Sequence, residues 1–319
     1  MVLNLQPTAR LAYDRTTTGE WLAHCGACPV PEYSNAFERS RRARAAGAAR
    51  TFKHSRFGFL GNTYGGMLDL YSDLTMVQAQ TGLHLEVLEI GDLQRRVHEV
   101  TTSEVAAKRD EVMAMFDISD DSPSDPIARR PTDEQMEWSC RVAAGQERIV
   151  REFDLDALEY YYHGATNSAE ERLVGGSFTE IVAVDYDDDT IILGHDGPFH
   201  MAIAEGRPVL RGLGLYHGKQ GTGVSVEAKV RTGAVTTLNV TQTADGRLKL
   251  ISSEGASTDG PTMQIGNTQT PCPLLASARR VYVTLVRARA NAPLCDVGGS
   301  QCEQFAKVAE LMQLEHLTL

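Results

Sequence analysis

An α/β chain whose last third is β-rich is predicted by three observations. Residues 53–174 alternate short apolar runs with helix-period segments, the pattern of βαβ units around a parallel sheet. From about Gly176 the apolar period drops to two, with turn residues between the runs. A last helix-period stretch, "CEQFAKVAELMQL", closes the chain. With 319 residues, 42% of them hydrophobic and 23% charged, the chain can bury a substantial core. About two domains of roughly 100 to 200 residues are expected at this length.

Residues 1–52 are rich in Ala and Arg and lack a full set of alternating elements, so they read as a remnant of an N-terminal α/β domain. Their dense basic run, "RSRRAR" at Arg39 to Arg44, reads as a solvated helix face or loop. A middle α/β domain is expected over 53–175. In it "SRFGFLG" is a strand, Met67 to Gln80 an amphipathic helix, "LHLEVLEIG" a strand, and "DLQRRVHEVTTSEVAAKRDEVMAMF" one or two helices. The next helix starts near Asp133, where Thr132 and Gln135 have capping-box spacing just after Pro131. "LEYYYHG" completes the series as a buried strand, so the sheet should be parallel.

Over 176–319 the strands are "FTEIVAVDY", "TIILGH", "GVSVEAKVR", "AVTTLNVTQT" and "RLKLISSEG". Asp245-Gly246 carries a two-residue hairpin signal between the last two. The acidic run Asp185 to Asp189 lacks the ligand spacing of a calcium loop and fits a solvated turn. A sandwich or a barrel would satisfy this pattern.

A net charge of −11 argues against nucleic acid as a partner, because phosphate neutralisation needs a basic stripe. No apolar run approaches the roughly 20 residues that span a bilayer, so no membrane partner is expected. The start, "MVLNLQPTARLAYD", lacks the features of a signal peptide. Six cysteines in this length make no disulfide framework, which places the protein in a reducing cytoplasm. Cys25 and Cys28, in "HCGACP", have redox-pair or half-zinc-site spacing, but with no second pair to complete four ligands they read as ordinary thiols.

The stretch "LGHDGPFHM", Leu193 to Met201, follows the apolar run "TIIL" and sets two histidines and an aspartate at a strand end. Glu180 and His195 flank a strand pair joined by the acidic turn, so antiparallel pairing would bring them to one end of the sheet. A carboxylate oxygen with an imidazole nitrogen suits a divalent ion of the manganese type. The same two residues would also make an ordinary hydrogen-bonded pair. "GNTYGG", Gly61 to Gly66, lacks the lysine of a P-loop and the spacing of a dinucleotide site, and reads as a turn that lets backbone approach a ligand.

"GGSFTEIVAVDY", "LGHDGPFHMAIAEGRPVLRGLGLYHGKQGTGVSVEAKV" and "VTQTADGRLKL" resemble the C-terminal region of the L-fucose/L-arabinose isomerase-like family. "SRFGFLGNTYGGMLDLYSDLTMVQAQTGLHLEVLEIGDL" resembles the start of that family's middle domain. The motifs occur in the family's order and cover most of the chain. The resemblance implies α/β domains followed by a barrel-like domain, interconversion of aldoses and ketoses, a Mn2+ or similar ion, a small sugar substrate, and homo-oligomers in intact relatives. It also implies that the chain begins inside the family's first domain. Glu180 matches the glutamate that serves as base and ligand, and His195 matches one ligand histidine. Met67, Asp196, His200 and His217 match positions near the sugar, although each would serve equally as a structural residue.

The chemistry accounts for these residue types. Moving a carbonyl between neighbouring carbons takes a proton from one and returns it to the other through an enediol, a task for positioned carboxylates, while a divalent ion stabilises the oxyanion. The family's other two ligands are missing here. No "AGEGD" precedes "VGGSFTE", and "RARANAPLCDVGGSQC" stands where the family has "THHC". In one permitted set of codons, Ala290 to Ser300 shifted by a single nucleotide reads Pro-Thr-His-His-Cys. That points to a frame-shifted segment from Cys272 to Cys302, expected to be irregular and poorly packed against neighbours it was never selected to fit.

Overall fold

The structure is a computed structural model that describes residues 36–61, 72–122, 124, 129–160, 207, 209–212, 215–216, 219–220, 224–227, 232–259, 262–265, 268–271, 274–275, 278–288 and 295–319. It is an α/β fold, with a parallel sheet and a separate mixed sheet.

Helix α1 (Ala36–Phe52) contains the basic run and turns Ala45, Ala48, Ala49 and Phe52 inward, the i, i+3, i+4, i+7 spacing of one helix face. Strand β1 (Arg56–Leu60) follows. Helix α2 (Leu74–Thr81) begins seven residues later than the periodicity from Met67 predicts. Asp73 is extended and its side chain accepts from Met76 N, which fixes the helix start at Leu74. Gly82, at φ 74°, ends the helix in a conformation that side chains with a Cβ rarely adopt. Strand β2 is His84–Leu88.

The long helical stretch is two helices, α3 (Ile90–Glu99) and α4 (Thr102–Met115), because Val100 and Thr101 adopt extended backbone between them. Capping boxes mark both starts, Glu89 with Asp92 and Thr101 with Glu104. After a short β3 (Asp117–Ile118), helix α5 (Asp133–Glu152) starts at the expected capping box of Thr132 and Gln135. β4 is Ala157–Tyr160.

The sheet order β2-β1-β4 is parallel throughout, as the alternation predicts. One face of β1, through Phe57 and Phe59, packs on α1 and on α7 (Cys302–Met312) through Val308 and Met312. The other side carries Leu60 into a cluster with Leu93, Val97, Val112, Val142, Ile149 and Leu158. Central β1 is buried along Phe57 to Leu60, which is why it reads as an apolar run, whereas β2 keeps His84 and Val87 exposed.

β5 (Val209–Gly212) pairs parallel with β3 and antiparallel with β8 (Val224–Glu227), and Leu210 and Val224 join the α5 core. Packing thus crosses the sequence position 175/176, as α1 with β1 crosses 52/53. Two short hairpins, β6 (Leu215–Tyr216) with β7 (Lys219–Gln220) and β11 (Thr262–Ile265) with β12 (Thr268–Pro271), stand as separate two-stranded sheets.

The mixed sheet is built on β9 (Gly233–Gln242) and β10 (Leu248–Ser257), with β13 (Leu274–Leu275), β14 (Cys295–Gly298) and β15 (Glu315–Thr318) added. Its order, β13-β10-β9-β14 with β15 parallel to β10, does not close on itself among the described residues. The β9–β10 connection is a hairpin, but not the two-residue type that Asp245-Gly246 signals. Gly246 N donates to Thr243 O at 2.9 Å, Thr243 N to Arg247 O at 2.7 Å, and Gly246 sits at φ 81°: a three-residue loop with glycine in the left-handed bulge position.

The irregularity expected over 272–302 is not found among the residues described there. Ala278–Arg287 forms helix α6, and β14 pairs with β9 in register from Cys295↔Leu238 to Gly298↔Val235. The helix is ARRVYVTLVR, and the Arg-Ala alternation starts only at its last residue, Arg287. The backbone here is regular, against the expectation, while the described side chains are mixed: Val281 and Cys302 are buried and Tyr282, Val283 and Val286 are exposed.

Candidate functional site

Open parallel sheets bind ligands outside the carboxyl ends of their strands, where neighbouring connections leave in opposite directions. Here β1 is that strand. The chain passes from β1 through α2 to β2 on one side, then crosses to β4 on the other, so the carboxyl ends where such a sheet receives ligands are at Leu60, Leu88 and Tyr160. Gly61, at φ 89°, turns the chain out of β1 while its N–H donates to Leu88 O at 2.7 Å. The chain then enters "NTYGGMLDLY", residues 62–71, and returns at Ser72.

Two structural elements brace this edge. Asp73, the cap of α2, is clasped by a side chain from the far hairpin: its N–H donates to Gln242 Oε1 at 2.6 Å, and Gln242 Nε2 donates to Asp73 O at 3.1 Å. Gln80 reaches the same hairpin, accepting from Leu248 N at 2.8 Å and donating to Gly246 O at 3.3 Å. The tip of the β9–β10 hairpin is therefore fastened to α2. Local sequence patterns give no signal for such amide contacts across nearly 170 residues, and these glutamines escaped the sequence reasoning.

The residues singled out from the sequence, Met67, Glu180, His195, Asp196, His200 and His217, lie outside the described residues, as do Cys25 and Cys28. Among the described residues no group of three or more His, Cys, Asp or Glu side chains is placed to hold a metal ion, and no helix is long and apolar enough to cross a membrane.

The other concentration of titratable groups lies under the start of α7. Glu254, from β10, accepts from Cys302 N at 3.0 Å, and Thr236 Oγ1 accepts from Gln301 N at 2.7 Å. Ser252 Oγ lies 3.0 Å from His316 Nε2. Burial pushes the Cys302 thiol up and holds the His316 imidazole down, so both are neutral at pH 7. A protonated buried thiol is no nucleophile. Cys140 is likewise inert, with burial pushing its thiol up to about 11.

Two buried cations, Arg96 and Lys108, are also structural. Arg96 donates from Nε to Glu152 Oε2 at 3.0 Å and stacks over Phe153 at 5.4 Å, and Lys108 lies 2.9 Å from Glu111 and 3.1 Å from Glu147. Each pairing offsets the cost of desolvating a charge. No family model matches this chain, and no curated protein matches it.

Proposed function

We propose that this chain is a relative of the L-fucose/L-arabinose isomerases, shaped for metal-dependent interconversion of an aldose and a ketose but carrying an incomplete site. The observation that carries this reading is the ordered run of motifs, "SRFGFLGNTYGGMLDLYSDL", "GGSFTEIVAVDY" and "LGHDGPFHM". Gly61, the first residue of "GNTYGG", leaves β1 at the carboxyl edge of a parallel sheet, which supports it, since that edge is where such sheets receive small ligands.

In this reading Glu180 takes the proton from the sugar carbon and, with His195, offers oxygen and nitrogen ligands to Mn2+ or a similar ion. Bound there, the ion would polarise the two sugar oxygens and stabilise the enediolate. Met67, Asp196 and His200 line the sugar, the C-terminal strands belong to a barrel-like domain, and the protein works in the cytoplasm. Absence of the second glutamate and second histidine favours a further reading, a non-catalytic homologue that associates without turnover.

Ketose formation from L-arabinose or L-fucose with excess Mn2+ tests the proposal. Lacking one of two acid–base groups, the chain should run roughly 10²- to 10⁴-fold slower than an intact relative. Any residual turnover should vanish in Glu180→Gln. Turnover at an intact relative's rate, or turnover indifferent to Glu180→Gln, would sink the assignment. The coding DNA over residues 272–302 separately decides whether an alternative frame there encodes "THHC".

A further inference from the structure

The tip of the β9–β10 hairpin requires a glycine, and an aspartate stands before it. Gly246 holds φ 81°, where a side chain with a Cβ is strained, and a Cβ there would lie 3.1 Å from Met76 Cγ on α2. Asp245 completes the loop with Oδ1 2.5 Å from Thr243 Oγ1, while Arg247 Nε donates to its Oδ2 at 2.9 Å. Its side chain is 59% exposed, so water reaches it. The fold has thereby placed an Asp-Gly bond, whose nitrogen no side chain shields, in contact with solvent.

Such a bond can rearrange with water as its only co-reactant. Gly246 N attacks Asp245 Cγ, a carbon–nitrogen bond forms, and a carboxyl oxygen leaves as water with the amide proton and the acid proton, giving a five-membered succinimide. Water then opens the ring. Cleavage between Gly246 N and Cγ restores aspartate, whereas cleavage between Gly246 N and the main-chain carbonyl carbon leaves isoaspartate, with a free α-carboxylate and one more atom in the backbone.

The loop opposes the first step in three ways. Gly246 N–H, whose proton must be given up, donates to Thr243 O at 2.9 Å. The Thr243 hydroxyl, and then Arg247, hold the Asp245 carboxyl below its ordinary range, in the anionic form that loses no water. Turning Gly246 N toward Cγ also carries Gly246 with it, and its carbonyl is gripped from two sides, by Gln242 Nε2 at 3.0 Å and Gln80 Nε2 at 3.3 Å.

We propose that Asp245-Gly246 is a latent modification site gated by the Gln80 and Gln242 clasp: the closed clasp keeps the bond intact, and opening it lets isoaspartate form. The product holds the gate open. Its extra backbone atom displaces Gly246 O from both glutamine amides, so the modified hairpin no longer fastens to α2. Local opening of a hairpin tip requires less free energy than unfolding the chain, so the site responds to the clasp and not to global stability.

Ageing the full chain at neutral pH, with isoaspartate at 245 quantified by peptide mapping and electron-transfer fragmentation, tests this. The sequence holds three Asp-Gly pairs, so the product must be located at 245. The folded parent should accumulate it ~10-fold or more slowly than the same chain in concentrated urea, since more than one hydrogen bond opposes ring closure. Gln80→Ala and Gln242→Ala should each raise the folded rate by about 5-fold, the worth of one hydrogen bond. Glu254→Ala, which loosens the start of α7 instead, should age like the parent. Thermal unfolding checks that each variant is folded, and if one clasp variant is not, the other still reports. A parent that isomerises as fast folded as in urea would overturn the proposal. So would clasp variants that age like the parent, or a Glu254→Ala protein that ages as fast as they do, which would trace the protection to global stability.

Discussion

Glu254 caps a helix to which it is not connected. Its Oε1 accepts from Cys302 N at 3.0 Å, at the start of α7, where Gln301 in the cap position makes no capping hydrogen bond with its own side chain. A carboxylate at a helix N-terminus satisfies an orphan N–H and complements the positive end of the dipole. Glu254→Ala should therefore cost about 1–2 kcal/mol of unfolding free energy, and Glu254→Gln distinctly less, since an amide oxygen still accepts. Urea titration of the three proteins measures this. Equal losses for Ala and Gln would show that packing, not the hydrogen bond, is what Glu254 supplies.

Gly145 inverts the usual preference for alanine inside a helix. Alanine is normally better there by about 1 kcal/mol. A Cβ at Gly145 would lie 2.6 Å from Val97 Cγ2, 3.1 Å from Val97 N and 3.2 Å from Val97 Cα, and backbone atoms of α3 cannot swing aside. Gly145→Ala should destabilise by about 1–3 kcal/mol, the usual range for overpacking. A stabilised Gly145→Ala, by thermal or urea unfolding, would mean that α3 and α5 are further apart than this.

These two sites show what the sequence could and could not convey. Thr132 and Gln135 announce the start of α5 because both partners lie within one turn, and the period-two runs locate β9 and β10 because side-chain alternation is local. The parallel order β2-β1-β4 follows from helices between strands. The cap from Glu254, the Val97 backbone against Gly145 and the Gln242 clasp on Asp73 join distant segments, and nothing near any of these residues in sequence encodes its partner. α6 went unrecognised because its apolar residues Val281, Tyr282, Val283, Leu285 and Val286 run almost unbroken, so neither period stands out.

Glu104 gives the fold an acid-sensitive contact. The Arg148 guanidinium, with Nη2 at 2.6 Å from Oε1, and then the Thr101 hydroxyl and N–H hold its carboxyl at about 2, against an ordinary 4.5. A depressed folded value means the stabilisation is present above pH 4.5 and lost as the pH falls toward 2. The side chain is 40% exposed, so solvent screening reduces the contribution to about 1 kcal/mol. Glu104→Gln should be the less stable protein at pH 7, by about that amount, and the difference should shrink through the acid range. A difference that stays constant from pH 7 to 3 would exclude the ion pair as its source.

His316 sets a second, milder dependence. Burial holds its imidazole below 6.5, beside Ser252, so the folded protein favours the neutral ring. The associated stability is complete above pH 6.5 and is lost as the pH falls through the lower folded value. In His316→Gln, the loss of stability just below pH 6.5 should be shallower than in the parent. An unchanged slope would place that proton uptake on another group.

Mn2+ binding followed by electron paramagnetic resonance tests the isomerase reading most directly, because free Mn2+ gives a signal that fades on binding. The chain should take up one ion weakly, since two protein ligands leave the rest of its shell to water. Glu180→Gln and His195→Gln should each abolish that uptake, while Glu254→Gln, far along the sequence and committed to its helix cap, should keep it. Undiminished binding in both site variants, or no binding by the parent chain, would contradict the assignment of Glu180 and His195 as the metal ligands.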